Sequence, residues 1–220
     1  MIVRAILRAM ATAVAPIDVA RHLFARLEGF QPTPDAVKRA KRRVRAQRRR
    51  RREPPGKKGH EYIVEALLRP VITRLAARML GLKSRDELPC RIYSSHFHTT
   101  DDREEIWRQR FACFRWIHPS ADTFDRGNHR RRADLFIATQ INRLVSVEFK
   151  YVTPGQKPSA NACARQVRQY LSQHKACVLV IYAGEDVSFE LNTTCDEIQG
   201  LIRSKRAFVV AIRGPAMKLP

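Results

Sequence analysis

The chain has 220 residues, 44% hydrophobic and 29% charged, enough for one substantial core or one core with a small appendage. Its 42 Lys and Arg against 21 Asp and Glu give a formal charge of +21, which favours a polyanion, and a phosphate backbone first, as partner. No run approaches the roughly 20 apolar residues of a membrane span, and five widely spaced cysteines without a CxxC pair argue against a disulfide framework or structural zinc.

Buried thiols in a reducing cytoplasm are therefore expected, with no membrane partner. The opening MIVRAILRAMATAVAP carries Arg4 and Arg8. Arg8 splits the apolar run and leaves too short a stretch for a secretory leader, so a helix is expected there. In IDVARHLFARLEGF, Val19, Leu23 and Leu27 recur at helical steps of four. Gly29 and Pro32-Thr33-Pro34 break that helix, and Thr33 with Pro34 then makes a start signal: a capping hydroxyl and a proline at the first helical position. The helix that follows runs into a basic block, Lys38, Arg39, Lys41, Arg42, Arg43, Arg45, Arg48, Arg49, Arg50, Arg51 and Arg52. Between Lys38 and Arg52 only Ala40, Val44 and Ala46 are apolar, none is acidic and none aromatic. The reading is an arm outside the core that contacts phosphates without stacking on bases. A solvated tail is its rival. Pro54-Pro55-Gly56-Lys57 closes the block, dividing the chain into a helical region over 1–58 and a second domain over 59–220.

From Gly59 the pattern is mixed α/β. GHEYIVEALLRPVITRLAARMLGL predicts a helix with Val64, Leu67, Leu68, Val71 and Leu75 on one stripe and a kink at Pro70. Helical rotation puts Glu61 inside that stripe and Glu65 at its edge, and a carboxylate among apolar side chains is costly unless paired or on a metal. CRIYSSHF predicts a strand. TTDDREEIWRQRFACFRW fits a capped helix or a turn into a strand near Phe111, and His96 and His98 are read as polar loop residues rather than ligands. ADLFIA and RLVSVEFKYV are strands joined through Thr139-Gln140-Ile141-Asn142 as a hairpin. SANACARQVRQYLSQ is a helix, ACVLVIYAG a buried strand, TTCDEIQGLIRSK a capped helix and AFVVAI a last strand.

The chemistry concentrates on the hairpin. Along VSVEFKYV, Ser146, Glu148 and Lys150 share one face of the strand, and Asp134 opens the preceding strand. A charged face in water is the plain alternative for Glu148 and Lys150 alone. An antiparallel turn, however, brings Asp134 close to Glu148, and two carboxylates beside a lysine make a hard-oxygen site suited to Mg2+ (or Mn2+).

These residues resemble the PD-(D/E)xK nuclease superfamily, with Asp134 and the Glu148-Phe149-Lys150 triplet at the motif positions; Ala133 stands where a proline often precedes the aspartate. The resemblance spans about residues 59–182. It implies a restriction-endonuclease-like αβββαβ core. It also implies a metal held by Asp134, Glu148 and the Phe149 carbonyl, and Lys150 acting on the attacking water. Gln166 and Tyr170 resemble the QxxxY signature of the RecB-type branch, although a tyrosine at that spacing also suits a helix core. The helix over 59–80 would supply one more ligand, Glu61 first, then His60, which ends a Gly56-Lys-Lys-Gly-His run similar to the G-x3-H of RecB-type enzymes; Glu65 is the third candidate. The expected function is a metal-dependent nuclease, acting on DNA ahead of RNA, in an arrangement compatible with a homodimer. The rivals are a binding protein on an inactive nuclease fold and an RNA-cleaving toxin or effector.

Overall fold

The computed structural model describes residues 14–51, 59–82, 91–94, 133–140, 143–152, 160–185 and 196–217. Over these the chain order is α1 (Pro16–Leu27), α2 (Pro34–Arg51), α3 (Gly59–Met79), β1 (Ile92–Ser94), β2 (Leu135–Gln140), β3 (Arg143–Val152), α4 (Ala160–Gln173), β4 (Ala176–Gly184), α5 (Asp196–Arg203) and β5 (Ala207–Gly214). The leader-like start, His96, His98, the ambiguous 101–118 stretch and Cys90, Cys113 and Cys195 lie outside the described residues. Cys163 and Cys177 are buried free thiols.

The sheet is mixed and follows chain order, β1-β2-β3-β4-β5. β1, β2 and β3 form an antiparallel meander, and β4 and β5 join in parallel, each after a helix that carries the chain back across the sheet. The hairpin is tighter than expected. Thr139 and Gln140 belong to β2, Gln140 pairs with Arg143, and the register shifts between Ala138 and Gln140. Thr139 Oγ1 donates to the Arg143 carbonyl at 3.2 Å, so the shift leaves that carbonyl satisfied.

Strand alternation divides the core in two. One face carries Leu135, Ile137, Val145, Val147, Phe149, Val178, Val180, Tyr182, Val210 and Ile212 beneath α1 and α3, with α2 packed on α3. The other carries Phe136, Ala138, Leu144, Val152, Leu179, Ile181 and Val209 beneath α4 and α5. Ser146, Glu148 and Lys150 belong by parity to the second face.

The N-terminal helices correct two expectations. α1 buries Val19, Leu23 and Leu27 as its spacing predicts, but it lies directly over β3, β4 and β5. α2 is not an arm apart from the core: Val37, Ala40 and Val44 are each 5% exposed or less and pack against α3. A step of three and then four residues places that sparse apolar set on one stripe, and a stripe of this width is enough to dock a helix. Pro32, between the two helices, meets the end of the sheet so closely that a Cβ on Gly214 would lie 2.5 Å from its Cγ. The core therefore runs across the 58/59 boundary without a break. Thr33 does cap α2, its Oγ1 accepting from the Ala36 amide at 3.2 Å.

α3 continues through Pro70 to Met79. It buries more than one stripe because α1, α2 and the sheet all pack on it: Ile63, Val64, Ala66, Leu67, Leu68, Ile72 and Ala76 are buried. Glu65, not Glu61, is the fully buried acid of this helix. None of the helices among the described residues is long and apolar enough to cross a membrane.

Candidate active site

Antiparallel pairing of Leu135 with Val147 fixes the geometry, since continuing that register by one residue sets Asp134 opposite Glu148. Asp134 Oδ2 accepts the Phe149 amide at 2.7 Å, which ties the aspartate to the backbone between Glu148 and Lys150. Lys150 Nζ donates to Glu148 Oε1 at 2.6 Å, and Tyr170, reaching over from α4, donates its hydroxyl to Oε2 at 2.9 Å. Glu61, on the first turn of α3, comes within 3.8 Å of Lys150 Nζ. Asp134, Glu148, Lys150 and Tyr170 thus converge, with Glu61 on the rim.

The charges are not on a solvated strand face. Glu148 is 3% exposed, and that alone is unusual for a carboxylate. Its pKa is raised to about 7, by burial first and then by the like charge of Asp134, with Lys150 and Tyr170 opposing. Burial pulls the Lys150 pKa down, but Glu148, Glu61 and Asp134 outweigh it, and the net shift is upward. Lys150 is accordingly an ammonium at neutral pH, and Glu148 is the group of the pair whose ionisation is contested. Tyr170 is also pushed up, by burial and then by Glu148, and stays a hydroxyl donor.

The residues present fit a hard divalent cation. The charge of Asp134 already disfavours ionisation of Glu148, and added positive charge relieves this. Among the described residues no three His, Cys, Asp or Glu side chains converge as a ready-made cage. Mg2+ does not require one: it is commonly held by one or two carboxylates, with waters and substrate phosphate filling the octahedron. Within a strand, the N–H and C=O of one residue point to the same edge, so the Phe149 carbonyl faces the Asp134 side as its amide does.

Other expected residues fall further away. Gln166, one turn before Tyr170, is half-buried and makes no hydrogen bond to the site among the described residues. His60 turns its ring onto Tyr151, centroids 4.7 Å apart and planes 6° from parallel, on the opposite side of the strand from Lys150. Glu65 is buried along α3, where its charge acts on Arg69. Of the basic block, Lys38, Arg39, Arg42, Arg43, Arg45 and Arg49 are exposed and Lys41 is half-buried; the side chains of Arg48, Arg50, Arg51 and Arg52 lie outside the described residues. A cavity of about 370 Å³ lies elsewhere, lined by His22, Arg26, Leu75, Arg78 and Met79. Arg26 and Arg78 sit in the last turns of α1 and α3, where cations complement the helix dipole.

Two polar residues escaped the sequence reading. Arg91 is fully buried, its guanidinium donating to the carbonyls of Ala138 and Thr139 at 2.7 Å each, where it pins the end of β2. His174 follows Tyr170 by one helical turn and packs against the rings of Tyr170 and Phe136. The i, i+4, i+8 run of Gln166, Tyr170 and His174 was the available signal for it. Comparison of the chain with family models, with curated proteins and with solved structures gave no match.

Proposed function

We propose that the chain is a metal-dependent nuclease of the PD-(D/E)xK type, hydrolysing phosphodiester bonds in DNA. The observation that carries the reading is the buried Glu148–Lys150 pair set against Asp134, in a protein of formal charge +21. A buried ion pair is poor value for stability alone, because desolvating both charges offsets most of their attraction. Among the described residues the order α3-β1-β2-β3-α4-β4 also has the αβββαβ sequence of elements that the motif implies, and it supports the restriction-endonuclease-like reading.

In this reading Asp134 and Glu148, with the Phe149 carbonyl, would hold Mg2+ or Mn2+. When bound, that ion supplies charge to offset the nonbridging oxygens and acidifies a water. Lys150, an ammonium with Glu148 on one side and Glu61 on the other, is placed to donate a hydrogen bond to the attacking water or the phosphate. Tyr170 holds the second Glu148 oxygen and so fixes the rotamer of the carboxylate. Residue Gln166 keeps the weaker role of a phosphate contact from α4, and Glu61 that of a rim carboxylate orienting Lys150.

The test is digestion of labelled duplex, single-stranded and RNA substrates with Mg2+ or Mn2+. Lys150→Ala and Asp134→Asn should each lower cleavage at least about 100-fold, the scale for losing a charge-stabilising group at a reacting centre. Affinity measured on the same preparations should change less than about threefold, because backbone contacts supply it. Wild-type protein that binds but never cuts would favour the rival, a binding protein that keeps Glu148 and Lys150 as a structural pair.

A further inference from the structure

We infer that α2 is a docked rail for duplex nucleic acid, its Lys38–Lys41–Arg45–Arg49 ridge lying along one strand's phosphates beside the candidate active site. The inference rests on the nuclease reading only for what the duplex is brought to.

The ridge follows from how α2 is seated. At about 100° per residue, fixing Val37, Ala40 and Val44 inward sends Lys38, Lys41, Arg45 and Arg49 to one flank, Arg42 outward and Arg39 and Arg43 to the other flank. The three steps, of three, four and four residues, make a continuous row. Lys38, Arg45 and Arg49 are exposed and Lys41 half-buried, and among the described residues none of the four forms an ion pair. Like charges at i, i+4 destabilise a helix by about 0.2–0.5 kcal/mol per pair. Lys41–Arg45 and Arg45–Arg49 both carry that penalty, and the helix persists because its apolar stripe is docked. A solvated tail would have no need to be held in place this way.

The helix has a definite neighbour. α2 packs on α3, and the first turn of α3 holds both His60, stacked on Tyr151, and Glu61, beside Lys150. The ridge therefore lies on a helix packed against the one that carries Glu61 to Lys150.

Shape selects the ligand. From Lys38 to Arg49 the ridge is about 16 Å long at 1.5 Å per residue, the axial length of about five phosphates on one strand of a duplex at 3.4 Å each. A straight rail of fixed spacing suits a stiff duplex. Binding of single strands draws on aromatic platforms, and α2 has no aromatic residue. An anionic bilayer is less suitable, since an interfacial helix needs an exposed apolar face and the only apolar stripe of α2 is spent on α3.

The experiment compares two double variants of equal charge in the full chain carrying Lys150→Ala, without divalent metal, so that the probe stays intact. Arg45→Gln/Arg49→Gln removes ridge charges; Arg39→Gln/Arg43→Gln removes the same charge from the opposite flank. Binding to a 20-base-pair duplex DNA, the matching single strand and phosphatidylserine vesicles is followed over a salt series. The ridge variant should flatten the duplex salt slope by about 1.8, two contacts at about 0.9 each, and the opposite variant by less than half of that. Equal effects of the two variants, an equal ridge dependence for the single strand, or loss of vesicle binding with the duplex spared would each overturn the proposal. Absence of cleavage by the wild type would count against the nuclease reading and leave this comparison standing.

Discussion

Glu148 is the residue on which the proposed metal chemistry and stability would pull in opposite directions. Its pKa lies above the ordinary carboxylate value, so the folded state keeps a proton that the unfolded state has released between about pH 4.5 and 7. The stability linked to this group is fully present below pH 4.5 and lost as pH rises through 7. A divalent cation bound at the proposed site would compete with that proton. Mn2+ should therefore raise the melting temperature more at pH 8 than at pH 5.5, measured by thermal denaturation with and without metal. A shift that is equal at both pH values, or larger at 5.5, would rule out cation binding through Glu148. His174 has the opposite sign. Burial lowers its pKa to about 4, so the unfolded state binds a proton that the folded state refuses between about pH 6.5 and 4. That stability is complete above pH 6.5 and lost as pH falls. The two groups nearly cancel between pH 4.5 and 6.5. Replacing His174 with Gln should unmask Glu148, moving the mutant-minus-wild-type unfolding free energy by up to about 3 kcal/mol in favour of the mutant at the acid end. Urea titrations at pH 4.5 and 6.5 measure this directly, and a constant difference would mean that His174 does not resist protonation.

At the level of elements, α2 is held by little. Three small residues dock eighteen, and most of the remaining positions are cationic. Val44→Ala should cost about 1–2 kcal/mol, the loss of two buried methyl-sized groups plus a partly collapsed cavity. Exposed Ala46→Ser should stay within about 0.5 kcal/mol. Equal costs in a denaturant titration would mean that α2 frays away from α3 in solution. Helix ends elsewhere are better secured. Leu82 donates back to the Ala77 carbonyl and Gly81, at φ 64°, to that of Arg78, a Schellman stop for α3 that a side chain at 81 would strain. Arg206 gathers the carbonyls of Leu171, His174 and Lys175, closing the C-terminal end of α4 and so steadying the helix that presents Tyr170.

Over the whole molecule, the N-terminal helices complete one hydrophobic layer rather than trail from it. Removing residues 1–54 would strip α1 from the sheet face lined by Val147, Phe149, Val180 and Tyr182, and α2 from α3. The truncated chain should lose its cooperative melt and near-UV circular dichroism instead of surviving as a compact domain with weaker binding. A truncated protein with a sharp transition near the wild-type temperature would show that residues 59–220 fold alone. This is also why charge substitution on α2, and not deletion, separates affinity from folding.

Local pattern alone was enough for much of this protein. Thr33 and Pro34 start α2, the four-residue spacing of Val19, Leu23 and Leu27 makes one face of α1, and alternation on β3 separates Val147 and Phe149 from Glu148 and Lys150. The pairing of Asp134 with Glu148 was legible too, because a short hairpin leaves little freedom of register. What needed the tertiary structure was every question of which face meets what. Glu61 and Glu65 are one turn apart on the same helix, and rotation about the axis cannot say that α1, α2 and the sheet bury the second while leaving the first at the rim beside Lys150. Composition likewise put α2 outside the core, since eleven cations in fifteen residues dominate any average. Only the packed fold shows that three apolar side chains on one stripe, set against α3, are sufficient to hold it, because burial depends on the surface opposite a residue and not on the residue's own neighbours in sequence.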